Sequence, residues 1–391
     1  MKKILVIMLT VSVFVAMIGS PLFAGGGGGE VVAKEPIKVG AILAVTGGAS
    51  WLGAPEAKTL EMLLEDTNAA GGIDGHPVEL IIKDSQASAE KAISFAKQLI
   101  EEEQVLAIIG PSTSGESMAI KDICQEGKTI LLSCAAAETI VDPVASYVFK
   151  TPQKDSYAAI RIFQTMQKMG ISRIGVVVGN TGFGNGGKAQ LEKYAPEYGI
   201  EIAIAEVYDS GATDLTGVLT KLKAQGVEAV VNWSIVPAQS IVPKNMRQLG
   251  MKVPLFQSHG FGNIKYVEAA GEAAEGIIFP CGRLLVADVL PADNPQKKVL
   301  VSYKSEYESR YGEDVSTFGG HAYDALTILK AAIEKAGSIE TAAVRDAIES
   351  LQGVVGTAGI FNMSASDHNG LGLDSFEMLT VKDGKFVLFE Q

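Results

Sequence analysis

Apolar positions along the chain fall into two kinds of run, short continuous ones and longer ones that repeat at helical spacing, and the two kinds alternate. Ile37 to Leu43 is a strand, apolar except for Lys38. Pro55 to Ala70 carries Ala57, Leu60, Leu63, Leu64 and Thr67 at helix spacing, and Gly71-Gly72 closes it. Val78 to Lys83 is the next strand, and Ser88 to Glu103 sets Ala89, Ala92, Ile93, Ala96, Leu99 and Ile100 on one helix face. Strands at Val105 to Ile109 and Thr129 to Leu132 flank a further helix. After Tyr147 to Lys150 the alternation starts again, with strands at 173–178, 201–208, 228–233, 253–257 and 276–280. Helices at 185–198, 214–225 and 237–249 separate them, and three more run over 294–311, 319–336 and 338–351. The chain ends in strands at 375–381 and 385–389 around Asp383-Gly384, a hairpin signal. Such alternation predicts an α/β fold of parallel sheets with helices on both faces. Two runs with crossings near residues 150, 280 and 355 predict two doubly wound lobes joined by three crossing strands. The expected division is 36–152 with 283–354, and 153–282 with 355–391, with a cleft between.

The stretch from Val105 to Glu138 is where this pattern first suggests chemistry. Its two strands end in turns of small residues, Gly110-Pro111-Ser112-Thr113-Ser114-Gly115 and Ser133 to Ala137. In an open parallel sheet, ligands bind outside the carboxyl ends of the strands. Small side chains let a ligand approach the backbone, and the free N–H groups opening a helix attract negative charge. The unit therefore reads either as a seat for a small anion such as a carboxylate or as an ordinary crossover with a serine cap.

Composition narrows the classes. A length of 391 residues fits two domains. Hydrophobic content of 47% supplies ample core, and a net charge of −12 argues against a nucleic-acid or anionic-membrane surface. Lys2 and Lys3, the apolar run Ile4 to Ile18 and the small residues up to Ala24 have the form of a signal peptide cleaved after Ala24. Residues 25–35 then form a glycine-rich leader. Three cysteines, Cys124, Cys134 and Cys281, leave at least one unpaired, and a Cys124–Cys134 bridge stays open. Neither a CxxC pair nor a Cys/His cluster suggests a metal, and no cofactor is called for.

Several motifs compete for a chemical role. Gly182-Phe183-Gly184-Asn185-Gly186-Gly187-Lys188-Ala189 satisfies a dinucleotide fingerprint and nearly a phosphate loop, but Ala189 stands where a magnesium-binding hydroxyl is needed. It reads instead as a cleft-edge loop before a helix, with Phe183 free to stack on a ligand. Of four histidines, His76 and His368 read as turn residues. His259 directly follows a strand and His321 opens a helix, and for each a structural role competes with ligand contact. Ser114, His259 and Asp324 could be drawn as a hydrolytic triad, but no G-x-S-x-G supports it.

The chain resembles the type I periplasmic solute-binding proteins of ABC transporters, in the leucine/isoleucine/valine-binding family. The marks are Ile37-Lys38-Val39-Gly40, Asn68-Ala69-Ala70-Gly71-Gly72-Ile73, Ile109 to Gly115, and Tyr323-Asp324-Ala325, spread from Ile37 to the C-terminus. The resemblance implies two lobes that close over one ligand. It implies that Ser114 and the backbone of Ala135 and Ala137 grip a ligand carboxylate, although Ala137 replaces the second hydroxyl usual there. Phe183 stands where a tyrosine is frequent, and His259 falls at or beside the acid that binds an α-ammonium. A buried ammonium without an anionic partner is costly. These departures turn the expectation from leucine towards an aromatic or other organic acid, with Trp51, Phe183, Trp233, Phe261 and Phe318 as the pocket wall. The expected function is a monomeric periplasmic binding component, not an enzyme, that delivers a small carboxylate to an ABC permease. A ligand-sensing domain for a membrane receptor and a secreted hydrolase are the alternatives.

Overall fold

A computed structural model describes residues 34–390. The basic residues, apolar run and Ala24 of the expected signal peptide lie outside the described residues. Among the described residues no helix is long and apolar enough to cross a membrane.

The chain opens with β1 (Ile37–Leu43), α1 (Ser50–Ala69), β2 (Val78–Asp84), α2 (Ala89–Lys97), β3 (Ala107–Ile109), α3 (Ser114–Glu126), β4 (Ile130–Ser133) and β5 (Val148–Lys150). The five strands make one parallel sheet in the order β2-β1-β3-β4-β5. Next come α4 (Asp155–Lys168), β6 (Arg173–Gly179), α5 (Gly182–Tyr194), β7 (Glu201–Tyr208), α6 (Thr216–Ala224), β8 (Ala229–Trp233), α7 (Ile241–Gln248), β9 (Leu255–Gln257), α8 (Ile264–Ala270) and β10 (Ile278–Cys281). The last part holds α9 (Lys297–Tyr311), α10 (Thr317–Ala336), α11 (Thr341–Glu349), the short pair β11 (Val354–Val355) and β12 (Ile360–Phe361), and the hairpin β13 (Glu377–Lys382) and β14 (Lys385–Leu388). The second sheet has the order β14-β13-β10-β9-β8-β6-β7. Its body is parallel, and β13 and β14 add an antiparallel edge.

Burial follows the two-residue period of a strand covered on both faces. In β3 and β4, Ala107, Ile109, Ile130 and Leu132 pack under α1 and α10, while Ile108 and Leu131 pack under α2 and α3. The second lobe has its own core around β6, β8 and β9, with Trp233 and Phe256 fully buried. That core extends to Leu52 and Phe318 of the first lobe, so the facing surfaces of the lobes are packed together.

Four expectations need correction. Residues 155–168 form a complete helix, whose apolar positions Ala158, Ala159, Ile162, Phe163 and Met166 are buried. The chain does not join the second lobe at residue 355. Ala358, Phe361, Met363 and Leu371 all sit in the first-lobe core, and Phe376 is the first residue beyond them in the second core. His368 is no surface turn. It is fully buried, stacks on Phe149 at 4.2 Å and makes a 2.9 Å hydrogen bond between Nδ1 and the Val148 carbonyl. The glycine-rich run is helix from Gly182 onward, capped by Thr181, whose hydroxyl accepts from Gly184 N–H at 3.0 Å.

Candidate ligand-binding site

β3 ends at Gly110, which has φ +93° and whose Cα lies so close to β1 that a Cβ would meet the Ile42 carbonyl at 2.3 Å. The turn delivers two serines with different commitments. Ser112 donates to the Glu56 carboxyl and accepts the Ala44 N–H at 3.0 Å, so its hydroxyl is fully used. Burial raises the Glu56 carboxyl well above its ordinary value, against the pull of the Ser112 hydrogen bond. Ser114 opens α3, and its Oγ accepts the Ala137 N–H at 3.2 Å. Its own proton has no acceptor among the described residues. The Ala135 N–H is taken by Ser133 Oγ at 3.1 Å. Both backbone donors expected for a carboxylate grip are therefore engaged within the protein.

The second lobe faces these serines with Phe183 near the start of α5, Ile235 just past β8, and His259 just past β9. The first lobe adds Leu52 from α1, and Phe318 and His321 from α10. These residues, with Cys134, Ala135, Ala136, Pro152 and Gly260, line a cavity of about 20 Å³. Ligand pockets run roughly 300–1,000 Å³, so the lobes stand closed on little more than the room for one water and must part to admit a solute. Outside it lies an open depression of about 670 Å³ between the lobes that shares Ser114, Phe183 and Ile235 with the cavity.

Ser114, Ala135, Phe183, His259 and Phe318 thus line one cavity. Trp51, Ala137, Trp233 and Phe261 do not. Trp51 packs edge-on against Tyr266 at 5.1 Å, and its neighbour Leu52 faces the cavity instead. The reason is helix register: α1 begins at Ser50, ahead of Pro55. Trp233 is fully buried beneath α5, where a Cβ on Gly187 would meet its Nε1 at 2.1 Å. The glycines of α5 serve this close packing. Lys188 pairs with Glu192 at 3.3 Å and does not form a phosphate cradle. Phe261 is core, against Tyr266 and Phe279. Sequence reading missed Leu52, Ile235, Cys134 and Pro152 as lining residues. Cys124, Cys134 and Cys281 are free, buried thiols.

A buried charge cluster supports the cavity. Lys150, the last residue of β5, donates to the carbonyls of Ala136, Pro152 and Gln153 at 2.8–3.0 Å. Desolvation lowers it to about 8, against the pull of Asp155 and Glu138. Asp155 is raised by burial, Lys150 opposing. Neither of its oxygens has a hydrogen-bond partner, and Oδ1 lies 3.4 Å from His259 Nε2. His259 is pushed well below the ordinary histidine range by desolvation, then by Lys150 and His321. His321 falls to about 3 for the same first cause, with Lys150 second. Both imidazoles are neutral at physiological pH. Among the described residues no group of three or more His, Cys, Asp or Glu is placed to hold a metal ion.

Polar contacts bridge the rim. Pro55 has no N–H for the Trp51 carbonyl four residues earlier. Asn263 of the second lobe fills that place, donating Nδ2 to Trp51 O at 2.9 Å while its Oδ1 caps α8. The Thr317 N–H donates to the Gly262 carbonyl at 3.0 Å, and the Ser156 N–H to Glu138 at 3.2 Å.

Two α/β lobes packed around a small cavity, with apolar walls and a few convergent polar groups, define a small-molecule binding protein of the type I periplasmic architecture. The chain belongs to the periplasmic binding protein family, whose profile matches residues 36–385. It is 24% identical over 319 residues to the leucine-, isoleucine-, valine-, threonine- and alanine-binding protein of Pseudomonas aeruginosa, covering 81% of this chain and 83% of that one. It is 26% identical over 384 residues to Leu/Ile/Val-binding protein homolog 3 of Brucella melitensis, covering 96% and 99%. Among solved structures, an extracellular ligand-binding receptor from Rhodopseudomonas palustris HaA2 superposes with a TM-score of 0.85 at 30% identity, covering 90% of this chain and 99% of that one. A branched-chain amino acid transporter substrate-binding protein from Streptococcus pneumoniae, in complex with isoleucine, has the same fold, with a TM-score of 0.79 at 24% identity over 90% and 97% of the chains.

Proposed function

We propose that this chain is an exported, monomeric substrate-binding component of an ABC transporter that takes a small organic acid lacking an α-ammonium group and hands it to a membrane permease. The observation that carries the choice of ligand is the cavity lining. The Ser114 hydroxyl and two neutral histidines line the cavity among Leu52, Phe183, Ile235 and Phe318, and no carboxylate is among the lining residues. The Ser114 O–H and the N-terminus of α3 meet the carboxylate. The Ala137 N–H acts indirectly, by occupying a lone pair of Ser114 Oγ and leaving its proton for the ligand. Phe183 and Phe318 wall the apolar body of the ligand, and a flat ring suits them.

The experiment is a thermal-shift panel of benzoate, hydroxybenzoates and short aliphatic acids against leucine, isoleucine, valine and phenylalanine. Stabilisation by acids alone supports this reading. A second reading, branched-chain amino acids, is favoured by the ligands for which the relatives are named and by Asp155, whose buried oxygens lack partners. An ammonium would have to reach Asp155 past His259, and stabilisation by amino acids alone would select that reading.

A further inference from the structure

His259 and His321 come from opposite lobes, one from the turn after β9 and one from α10, and both line the same cavity. His259 is held by three edge-on aromatic contacts: Phe183 at 5.3 Å, and Trp233 and Phe376 at 5.6 Å. His321 meets Phe318 edge-on at 6.3 Å, and its carbonyl accepts the Thr151 hydroxyl at 3.0 Å. The His259 ring is therefore held before any ligand arrives, and His321 is anchored through its backbone. Yet both ring nitrogens of His259 and Nδ1 of His321 are buried without a hydrogen-bond partner. The 3.4 Å approach of His259 Nε2 to Asp155 does not make one. Three orphaned nitrogens around one cavity are a standing cost unless something that enters it supplies their partners.

We infer that His259 and His321 together read a hydroxyl group on the bound carboxylate, so that the solute is a hydroxylated carboxylic acid. The inference rests on the reading above that the cleft takes an acid without an α-ammonium. It narrows that reading to one chemical class by matching donors to acceptors. A neutral imidazole offers one N–H and one lone pair. Two of them offer both kinds of partner from both sides of the cavity. A hydroxyl both donates and accepts, so it can satisfy one ring nitrogen of each kind. An ammonium has three donors and no acceptor, and would meet imidazole N–H groups it cannot use. A second carboxylate accepts only, and would meet imidazole lone pairs.

The test is calorimetry on matched pairs: benzoate with its 2-, 3- and 4-hydroxy derivatives, and hexanoate with 6-hydroxyhexanoate. The expected result is at least tenfold tighter binding for one hydroxylated member over its parent. His321→Phe and His259→Phe should each reduce that preference below threefold, read as the ratio of the two affinities within each variant. His321→Gln, which keeps a donor and an acceptor, should retain part of the preference. Circular dichroism and melting curves confirm that each variant is folded. Binding of the parent acids with no gain from any hydroxyl overturns this inference alone and leaves the proposed function standing. A hydroxyl preference that survives both phenylalanine variants also overturns it. Binding of amino acids only, or of no acid at all, overturns both.

Discussion

Removing the Ser114 hydroxyl should separate two serines that sit two residues apart in the same turn. Ser114 Oγ accepts one internal hydrogen bond, from the Ala137 N–H, and keeps its proton free for the cavity. Ser112 has nothing left to give, since it donates to Glu56 and accepts from Ala44. A hydrogen bond to a charged carboxylate contributes ~1.5–3 kcal/mol. At 1.4 kcal/mol per tenfold, Ser114→Ala should weaken the tightest-binding acid of the panel by about 10- to 150-fold. The variant also leaves the buried Ala137 N–H unpaired, at ~1–3 kcal/mol of stability. Ser112→Ala should lose at least as much stability, because it strands both the Ala44 N–H and a buried Glu56 oxygen, but should shift affinity less than threefold. Calorimetry gives the affinities and urea melts give the stabilities. Equal affinity losses in the two variants, or a Ser114→Ala dissociation constant within twofold of wild type, would refute the assignment.

Other consequences follow from the same geometry. Asn263→Asp keeps the α8 cap but loses the donor to Trp51 O, so ligand dissociation in stopped flow should speed up about 2- to 12-fold, the equivalent of ~0.5–1.5 kcal/mol; an unchanged rate would remove that contact from cleft closure. Lys150→Met strands three carbonyls and the buried Asp155, and should cost ~3–5 kcal/mol in urea melts; a loss under 1 kcal/mol would contradict the burial argument. Asp324 is raised to about 7, chiefly by burial, although it accepts from Thr357 and Ala358. An acid whose pKa is higher folded than unfolded favours the folded state fully below about 4, and the advantage is lost as pH rises towards 7. Wild type should therefore lose stability relative to Asp324→Asn over that window, at up to ~1.4 kcal/mol per pH unit; parallel pH profiles would refute the assignment. His321, at about 3, and His259, lowered likewise, stay neutral above pH 6, so acid affinity should show no histidine inflection between pH 6 and 8. Lys150, at about 8, and Asp324, at about 7, also titrate there, so a tenfold change per pH unit that persists in Lys150→Met and in Asp324→Asn would show that a histidine is charged.

The strand–helix alternation could be read from periodicity because both sheets are covered on both faces. The exception is α4, which follows the helix-breaking Thr151-Pro152 directly although Ala158, Ile162 and Met166 repeat at helix spacing. Gly110 and the serine turn were visible because a sharp turn at a strand end demands particular residues. His259 was visible because it directly follows β9. The pocket walls were harder. Trp51 and Leu52 differ by a small rotation about α1, and sequence alone did not place the helix start before Pro55. Trp233 reads in sequence as an aromatic pocket wall, but it fills the space that Gly187 leaves beneath α5, and the smaller Ile235 reaches the cavity. Lys150, Asp155 and His368 look like surface residues in sequence. Only tertiary packing buries them, through the carbonyls around the first crossing and the stacking on Phe149.

The central claim is that this cleft holds a carboxylate without an α-ammonium partner. The most direct measurement is isothermal titration of the purified protein with benzoate, its hydroxy derivatives and short aliphatic acids, beside leucine, isoleucine and valine. The account predicts one-to-one binding of at least one of the acids and no measurable heat from the amino acids. One-to-one binding of leucine, isoleucine or valine with no response to any acid would contradict it and would make Asp155 the ammonium site.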